Sequence, residues 1–458
     1  MSTLSIGALA PTELNRENPR FQAVQQLLNT RLGFDKPELD PALVSLIQAV
    51  REHGAAIASE LQFPSSQDEE WRFTDISRLL GVEFQPATVP SEAFIDITPF
   101  ILPEAEHSRL VLVNGVYSPE LSDLSGVNLD TVTYLLSAAV PEAKLNPYLG
   151  KQPGNQEVFT ALNSASLQDG ALVWIPQNQV VETPIHVLFL SVEDREAAIA
   201  SPRTLVVAGA NSSVTVVEQY VTISSCPAAP GVTPYFSNAV SEVWLEDNAQ
   251  VNHTRIQQEG QQTIHISKTA ITQNRDSRYT LNTISLGAGL SRHNIDVIHQ
   301  GEGTQTTLNG LTEITGQQCS DTHSSVNHLY PNGSSNQLHK CIVDQKAHGI
   351  FNGKVFVPKA AQLTNAQQLN RSLVLSDKAK VDTKPQLQIT ADNVKCSHGA
   401  TVSQLEEEEV FYLQSRGLSK EASRHLLIDA FANEILARIP LTSLQGKLAQ
   451  CLSCRTDF

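Results

Sequence analysis

From Ser164 to Thr401 no amphipathic helix pattern occurs, and short β-rich runs alternate with polar turns. That stretch limits the fold more than any other feature of the chain. The runs 204-TLVVAGANSSVTVVEQY-220, 240-VSEVWLEDNAQVNHTRI-256, 372-SLVLSDKAKVDTKPQLQI-389 and 392-DNVKCSHGATV-402 carry the texture. Three of them share one layout: an apolar strand, a polar turn with a small residue, then a valine expected to face inward (Val214, Val251, Val381). Val214 and Val251 are 37 positions apart, and Ala347-His348-Gly349-Ile350 precedes Ala379-Lys380-Val381 by 31 to 32. Self-similarity of this length, carried by strands, predicts a β-solenoid whose coils stack on one another. A two-sheet sandwich is the rival, and more than 230 residues of strand is long for one.

Composition agrees. Charged residues are only 17% of the 458, against roughly 25% in an ordinary globular protein. Uncharged polar residues fill the gap in runs such as 257-QQEGQQ-262 and 362-QLTNAQQLN-370, and inside a solenoid Asn, Gln, Ser and Thr stack in ladders between coils. A coiled coil would need far more Ala, Glu, Lys and Leu. With 32 Lys+Arg against 48 Asp+Glu the net charge is 32 − 48 = −16, which argues against nucleic acid as a partner. No apolar run approaches the roughly 18 residues of a membrane span. The opening MSTLSIGALAPTELNRENPRF lacks the features of a secretion signal, and six cysteines are too sparse for a disulfide scaffold. A cytoplasmic chain with free thiols is expected.

Helical regions flank the β core, giving units 1–163, 164–402 and 403–458. In 41-PALVSLIQAVREHGAAIASEL-61, Pro41 suits a first helical turn, and Val44, Ile47, Ala49, Val50, Ala55 and Ile57 form an apolar stripe. The rest of the first unit reads as an irregular arm with one strand-like run, 109-RLVLVNG-115, and the unit as a whole is expected to cap the solenoid end. After the core, Ser403 and Glu406 have capping-box spacing, and 406-EEEE-409 falls in a first helical turn. Gly417 suits a helix end. Ser419 then opens a second helix with Ala422, Leu426, Leu427, Ala430, Phe431 and Ile435 on one face, ending before Pro440.

Few motifs carry chemistry. The run 349-GIFNGKV-355 has three residues between its glycines and Val355 where a phosphate loop needs Ser or Thr, so no ATPase activity, and no enzyme of another class, is expected in this chain. Gly287-Ala288-Gly289 is turn material. The densest set of donor side chains is Cys319, Asp321, His323, His328, His339 and Cys341, a weak metal candidate because the spacing matches no closed module, with several members expected on solvent-facing turns. Cys396-Ser397-His398 is more suggestive. On a strand, residues i and i+2 share a face roughly 6–7 Å apart, so thiol and imidazole stand side by side. Two ligands do not complete an iron centre, so a working site would be shared with a partner; the alternative is a packed Cys beside a hydrogen-bonded His. Cys451 and Cys454 form a C-x-x-C near the C-terminus, on a helix or a frayed tail, with no second pair to make a redox or metal site.

The segments 348-HGIFNGKVFV-357, 364-TNAQQLNRSLVLS-376, 382-DTKPQLQITADNVKCSHGATV-402 and 411-FYLQSRGL-418 resemble the SufB/SufD family of iron–sulfur cluster assembly proteins. The form V-K-C-S-H-G-A-T is similar to the SufD branch, and 69-EEWRFTDISRLL-80 and 112-LVNGVYS-118 match further family segments. The resemblance implies a mainly β chain, a right-handed parallel β-helix between N- and C-terminal helical regions. It also implies a non-ATPase subunit that pairs with a SufB paralogue through the β-helix and recruits a SufC ATPase through its C-terminal helices, with Phe411, Leu413, Leu426 and Leu427 as docking candidates. His398, with Cys396 beside it, would then lie at the partner interface where a nascent Fe–S cluster forms. No cofactor is expected to be held stably by the isolated chain; a reduced flavin in the complex and a homodimer of the isolated chain stay open. Two rivals remain: a solenoid polysaccharide lyase or hydrolase, disfavoured by the missing acidic cluster at coil spacing, and an adaptor that only positions the ATPase.

Overall fold

In a computed structural model, residues 16–88, 95–128, 130–137, 140–193, 196–224 and 233–455 are described. Two sheets of eleven and ten strands run side by side, and from residue 171 onward successive strands largely alternate between them. Each strand pairs in parallel with the equivalent strand of the next coil; Tyr235–Leu245 lies in register with Thr263–Gln273 over its full length. The result is a β-solenoid of about seven turns with flanking helices. Parallel pairing excludes the antiparallel sandwich. The repeats read in the sequence are coil-to-coil neighbours, for Val214 faces Val251 and Gly349 faces Val381.

One corner shows how the sequence sets the coil. Asn178, Asn211, Asn248, Asp276, Gly303, Asn332 and Leu363 occupy equivalent positions with φ between 55° and 71°, a left-handed conformation that Asn, Asp and Gly tolerate best. Their backbone N–H groups donate along the stack, Asn211 to Asp247 at 2.9 Å, Asn332 to Gln362 at 2.9 Å and Leu363 to Asn393 at 2.7 Å. The side chains form the expected ladder: Asn248 Nδ2 donates to Asn211 Oδ1 at 3.0 Å, and Asn211 Nδ2 to Asn178 Oδ1 at 2.8 Å.

Inward-facing residues fill the lumen. In the first coils they are apolar, among them Leu112, Val132, Val173, Val187, Val216, Val243 and Leu281. Among the polar groups inside, the Glu218 carboxylate is the most fully paired: it accepts from Thr204 Oγ1 at 2.6 Å, Tyr220 OH at 2.8 Å, Ser241 Oγ at 2.8 Å and His253 Nε2 at 3.1 Å. Burial pushes its pKa up, but the His253 contact, Thr204 and Arg255 outweigh that and hold it at about 2.

The helices cover the outer faces. Helix Pro41–Ser59 starts at the Asp40 N-cap, whose side chain accepts from Ala42 N. It buries Leu43, Leu46, Ile47, Arg51, Gly54 and Ala58, so the stripe read from sequence is offset and only Ile47 of it is fully buried. At Gly54 a Cβ would stand 2.7 Å from Ala161 O, which is why helix Val158–Ala165 can cross there. Both helices lie on the flank of the eleven-stranded sheet, against Leu172, Leu205 and Val207 and Phe236 and Ile266. Strand Arg109–Val113 is more than part of an irregular arm: it pairs in parallel with Ile185–Glu193 and extends the ten-stranded sheet. The end of the solenoid is closed by antiparallel strands, Val116–Tyr117 on one sheet and Val132–Tyr134 on the other, whose Tyr117 and Tyr134 rings stack 4.2 Å apart. The core strands run from Ala171 to Ser403.

Candidate functional site

At the far end the two sheets simply stop. Lys380–Ile389 is the last strand of one and Lys395–Ser403 of the other, each paired on one side only among the described residues. Cys396 and His398 both occupy inward positions, in register with Ala366 and Gln368 of the preceding coil. They share a face, as the i, i+2 spacing predicts. Their surroundings differ. Cys396 is half-buried in a small apolar cluster with Ala366, Leu387, Ala391 and Val394, and burial raises its thiol pKa. His398 is exposed. The end is ringed by apolar residues that no later coil covers: Ile389 is 37% exposed and Val402 53%.

The second donor set does not form a site. Cys319, Asp321, His323 and His328 lie on strand Cys319–His328 of one sheet, His339 and Cys341 on Ser334–Val343 of the other. The expectation that several face solvent on turns is corrected: Asp321, His328, His339 and Cys341 are buried within strands. Alternation on a pleated strand sends them to different faces, and among the described residues no three His, Cys, Asp or Glu side chains gather as a metal group. Burial drives the Cys319 and Cys341 thiols up to about 12, so neither is a ready thiolate. His328 Nε2 meets Ser335 Oγ at 2.9 Å, and the His339 ring packs on Phe351 with centroids 4.7 Å apart.

Asp321 and His323 belong instead to a clip. Asp321 Oδ2 accepts from Arg292 NH1 and Thr74 Oγ1, both at 2.5 Å, and Oδ1 lies 3.0 Å from His323 Nε2. The Arg292 guanidinium stacks on Trp71 at 3.8 Å, while Glu70 pairs with Lys354 and Glu69 with Lys384, each at 2.5 Å. The E-E-W-R-F-T segment thus fastens the N-terminal arm across four coils up to the last one. Sequence reading found the motif but gave it no role; the signal was the match of paired acids to lysines spaced one coil apart.

The C-terminal region has three helices, Glu407–Ser415, Lys420–Leu436 and Thr442–Arg455; the second and third pack on the ten-stranded sheet and the first lies against the second. Two local readings need correction. Ser403 ends a strand and its Oγ lies 3.5 Å from Ser372 O, while the first helix is capped at Glu406 without a side-chain bond; the capping box is not made. Ser419 does cap the second helix, accepting from Ala422 N at 3.1 Å, but the buried face is Ser423, Ile428, Ala432, Ile435 and Leu436. These pack on Ile256, Ile284, Leu311 and Leu338, because the sheet offers a narrow apolar groove that admits one stripe of the helix. Leu426 is left 49% exposed and Leu427 half-buried; Phe411 is 72% exposed, Tyr412 57% and Leu418 39%, with Leu413 half-buried. Cys451 sits on the third helix, not a loose tail, with its sulfur 3.7 Å from Gln258 Nε2. The Cys454 side chain lies outside the described residues.

Comparison with known proteins now bears on this geometry. Residues 189–431 match the SufBD core domain of SUF system FeS cluster assembly, and residues 35–187 match the SufBD protein N-terminal region. The chain belongs to the SufBD family.

It is 52% identical over 417 residues to an iron–sulfur cluster assembly SufBD family protein of Synechocystis sp., covering 90% of this chain and 92% of that one. It is 32% identical to Protein ABCI7, chloroplastic, of Arabidopsis thaliana over 89% and 85% of the two chains. With the iron–sulfur cluster assembly protein SufD of Escherichia coli it shares 28% over 81% and 84%. The SufBD core match covers the solenoid from within strand Ile185–Glu193 onward and reaches into helix Lys420–Leu436, so Cys396, His398 and the exposed helix residues all fall within it. The N-terminal match ends inside strand Ile185–Glu193, after the E-E-W-R-F-T segment, helices Pro41–Ser59 and Val158–Ala165 and the strands of the closed end. The SufBD family works in SUF iron–sulfur cluster assembly, and no helix among the described residues is long and apolar enough to cross a membrane.

Proposed function

We propose that this chain is a non-ATPase subunit of a SUF scaffold complex, pairing with a SufB paralogue through the open solenoid end and recruiting a SufC ATPase through its C-terminal helices. The observation that carries the reading is Cys396 and His398 on one face of a strand whose outer edge is unpaired. An edge with unused N–H and C=O groups is a template for another strand, and the uncovered Ile389 and Val402 supply apolar area for that contact. Two donors need a partner's ligands to hold iron, so the nascent cluster, the cargo of the complex, would form where the two chains meet. His398 is exposed and free to reach it; Cys396, half-buried in an apolar cluster with a raised thiol pKa, is the auxiliary group. The ATPase reading rests on Phe411, Tyr412, Leu418 and Leu426, large apolar side chains exposed on adjoining helices. A cytoplasmic setting is proposed with it.

The test is His398→Ala in the complex purified anaerobically with both partners, with iron and acid-labile sulfide measured against assembled protein. Folding and subunit stoichiometry should be unchanged, because an imidazole at the edge of a large contact contributes little to it. Cluster content should fall severely, and less for Cys396→Ala. A full cluster load in His398→Ala would leave the chain an adaptor only. Phe411→Ser with Leu426→Ser should release the ATPase and leave solenoid pairing intact; retained ATPase would sink the docking assignment.

A further inference from the structure

The lumen beneath the open end holds a group with no evident use. Gln368, on strand Asn365–Val374, is 2% exposed, and neither its Nε2 nor its Oε1 has a hydrogen-bond partner among the described residues. Burying both ends of an amide unpaired is costly, so such groups call for an explanation. In the ladder it stands between Gln337 of the coil below and His398 of the terminal strand. Gln337 is anchored at one end, its Oε1 accepting from Ser324 Oγ at 2.8 Å, while its Nε2 is unpaired like the Gln368 amide. Across the lumen, Gly353 makes the room: a Cβ there would stand 1.7 Å from Gln368 Nε2. The missing side chain lets the amide extend over the lumen as a floor beneath the last coil. In-register strands are roughly 4.8 Å apart, which puts an inward-turned imidazole of His398 within reach of that amide.

We infer that Gln368 is the positioning residue of His398. When His398 holds iron through one ring nitrogen, it donates the N–H of the other to Gln368 Oε1, which selects the tautomer and fixes the ring. A metal-bound histidine ordinarily needs such an acceptor for its second nitrogen, and no hydrogen-bond partner of His398 is otherwise seen among the described residues. The inference rests on the reading of His398 as an iron ligand.

The experiment measures iron(II) binding by the full chain in complex with its solenoid partner, together with thermal stability. Gln368→Leu removes the acceptor at similar volume and should weaken binding 10- to 100-fold, the usual effect of losing such a support, with the melting temperature unchanged or raised. Gln368→Glu keeps the acceptor and should stay within a few-fold of the parent. Gly353→Ala displaces the intact amide and should match Gln368→Leu; it decides the matter if that variant does not fold. Binding that depends on His398 but is unchanged by Gln368→Leu overturns the inference alone, as does a Glu variant that binds no better than Leu. Binding unchanged by His398→Ala overturns the iron-ligand reading and this inference together.

Discussion

The two ends of the solenoid are built from the same parallel coil and finished in opposite ways. At the N-terminal end the chain reverses: Val116–Tyr117 and Val132–Tyr134 pair antiparallel to the first coil strands, and Tyr117, Leu124 and Val127 pack over its lumen. At the C-terminal end both sheets stop in strands that have a free edge among the described residues, and lumen residues such as Val402 are exposed. A solenoid exposes unpaired edges unless something covers them. This chain covers one with its own backbone and leaves the other, where Cys396 and His398 stand. The closed end is a stability device, and on the proposed reading the open end is the place where another protein docks.

A matched pair of substitutions should break the comparison most sharply. Val132 is fully buried against the first coil, with Val173 in register, so Val132→Asp places an unpaired carboxylate in an apolar lumen and should cost more than about 4 kcal/mol or prevent folding. Val402→Asp at the open end should change stability by under about 0.5 kcal/mol and still abolish pairing with the solenoid partner. Urea unfolding and co-purification separate the two; equal losses of stability would mean that the open end is closed by something else.

Acid should act on the interior between the ends. Burial lowers the His328 and His339 imidazoles to about 4. In the unfolded chain a histidine titrates near 6.5, so below that pH the unfolded state binds protons the folded state refuses. The contribution is therefore fully present above pH 6.5 and is lost as pH falls towards 4, on the order of 3 kcal/mol per residue at the limit. Melting temperature should drop across that window, and His328→Gln should flatten the profile. A flat parent profile from pH 6.5 to 4 would refute it.

A smaller effect belongs to the closed end alone. The stacked rings of Tyr117 and Tyr134 should contribute about 1 kcal/mol beyond their burial. A double-mutant cycle with Leu at both positions reads that coupling by denaturant midpoint, and additive single variants would assign the closure to strand pairing only.

Much of the solenoid was legible in the chain because its signals are local and repeated. Val214 and Val251 mark successive coils, while the left-handed corners at Asn178, Asn211 and Asn248 emerged only with the backbone. Cys396 and His398 were legible for the same reason, since strand alternation alone puts them on one face. What was not legible depends on faces meeting at a distance. Which stripe of helix Lys420–Leu436 is buried depends on the groove between Leu311 and Leu338, and its own apolar residues cover most of the circumference. The Asp321–His323 pair looked like metal ligands because sequence does not show Arg292, Thr74 and Glu70 arriving from other elements. Gln368 gave no signal at all: its meaning comes from the void at Gly353, which lies 15 positions away in sequence and across the lumen in space.

On the proposed reading the open end takes a partner in preference to copies of itself, and its edge strands carry features that would favour this. Lys380 and Pro385 lie on strand Lys380–Ile389, and Lys395 on Lys395–Ser403. Lysine on an edge opposes pairing with a like-charged edge, and proline supplies no N–H and is confined to edge strands. Two copies meeting end to end would bring these lysines together, whereas a partner with an acidic rim would be favoured by the same charges. Pro385 is in register with Gly353, so Pro385→Thr restores a donor at the middle of the strand without crowding its neighbour. The variant should raise self-association of the isolated chain a few-fold in sedimentation analysis, and Lys380→Glu added to it should raise it further. An unchanged association constant in both would show that the edge is kept monomeric by other means, and that the asymmetry between the two ends does not extend to these side chains.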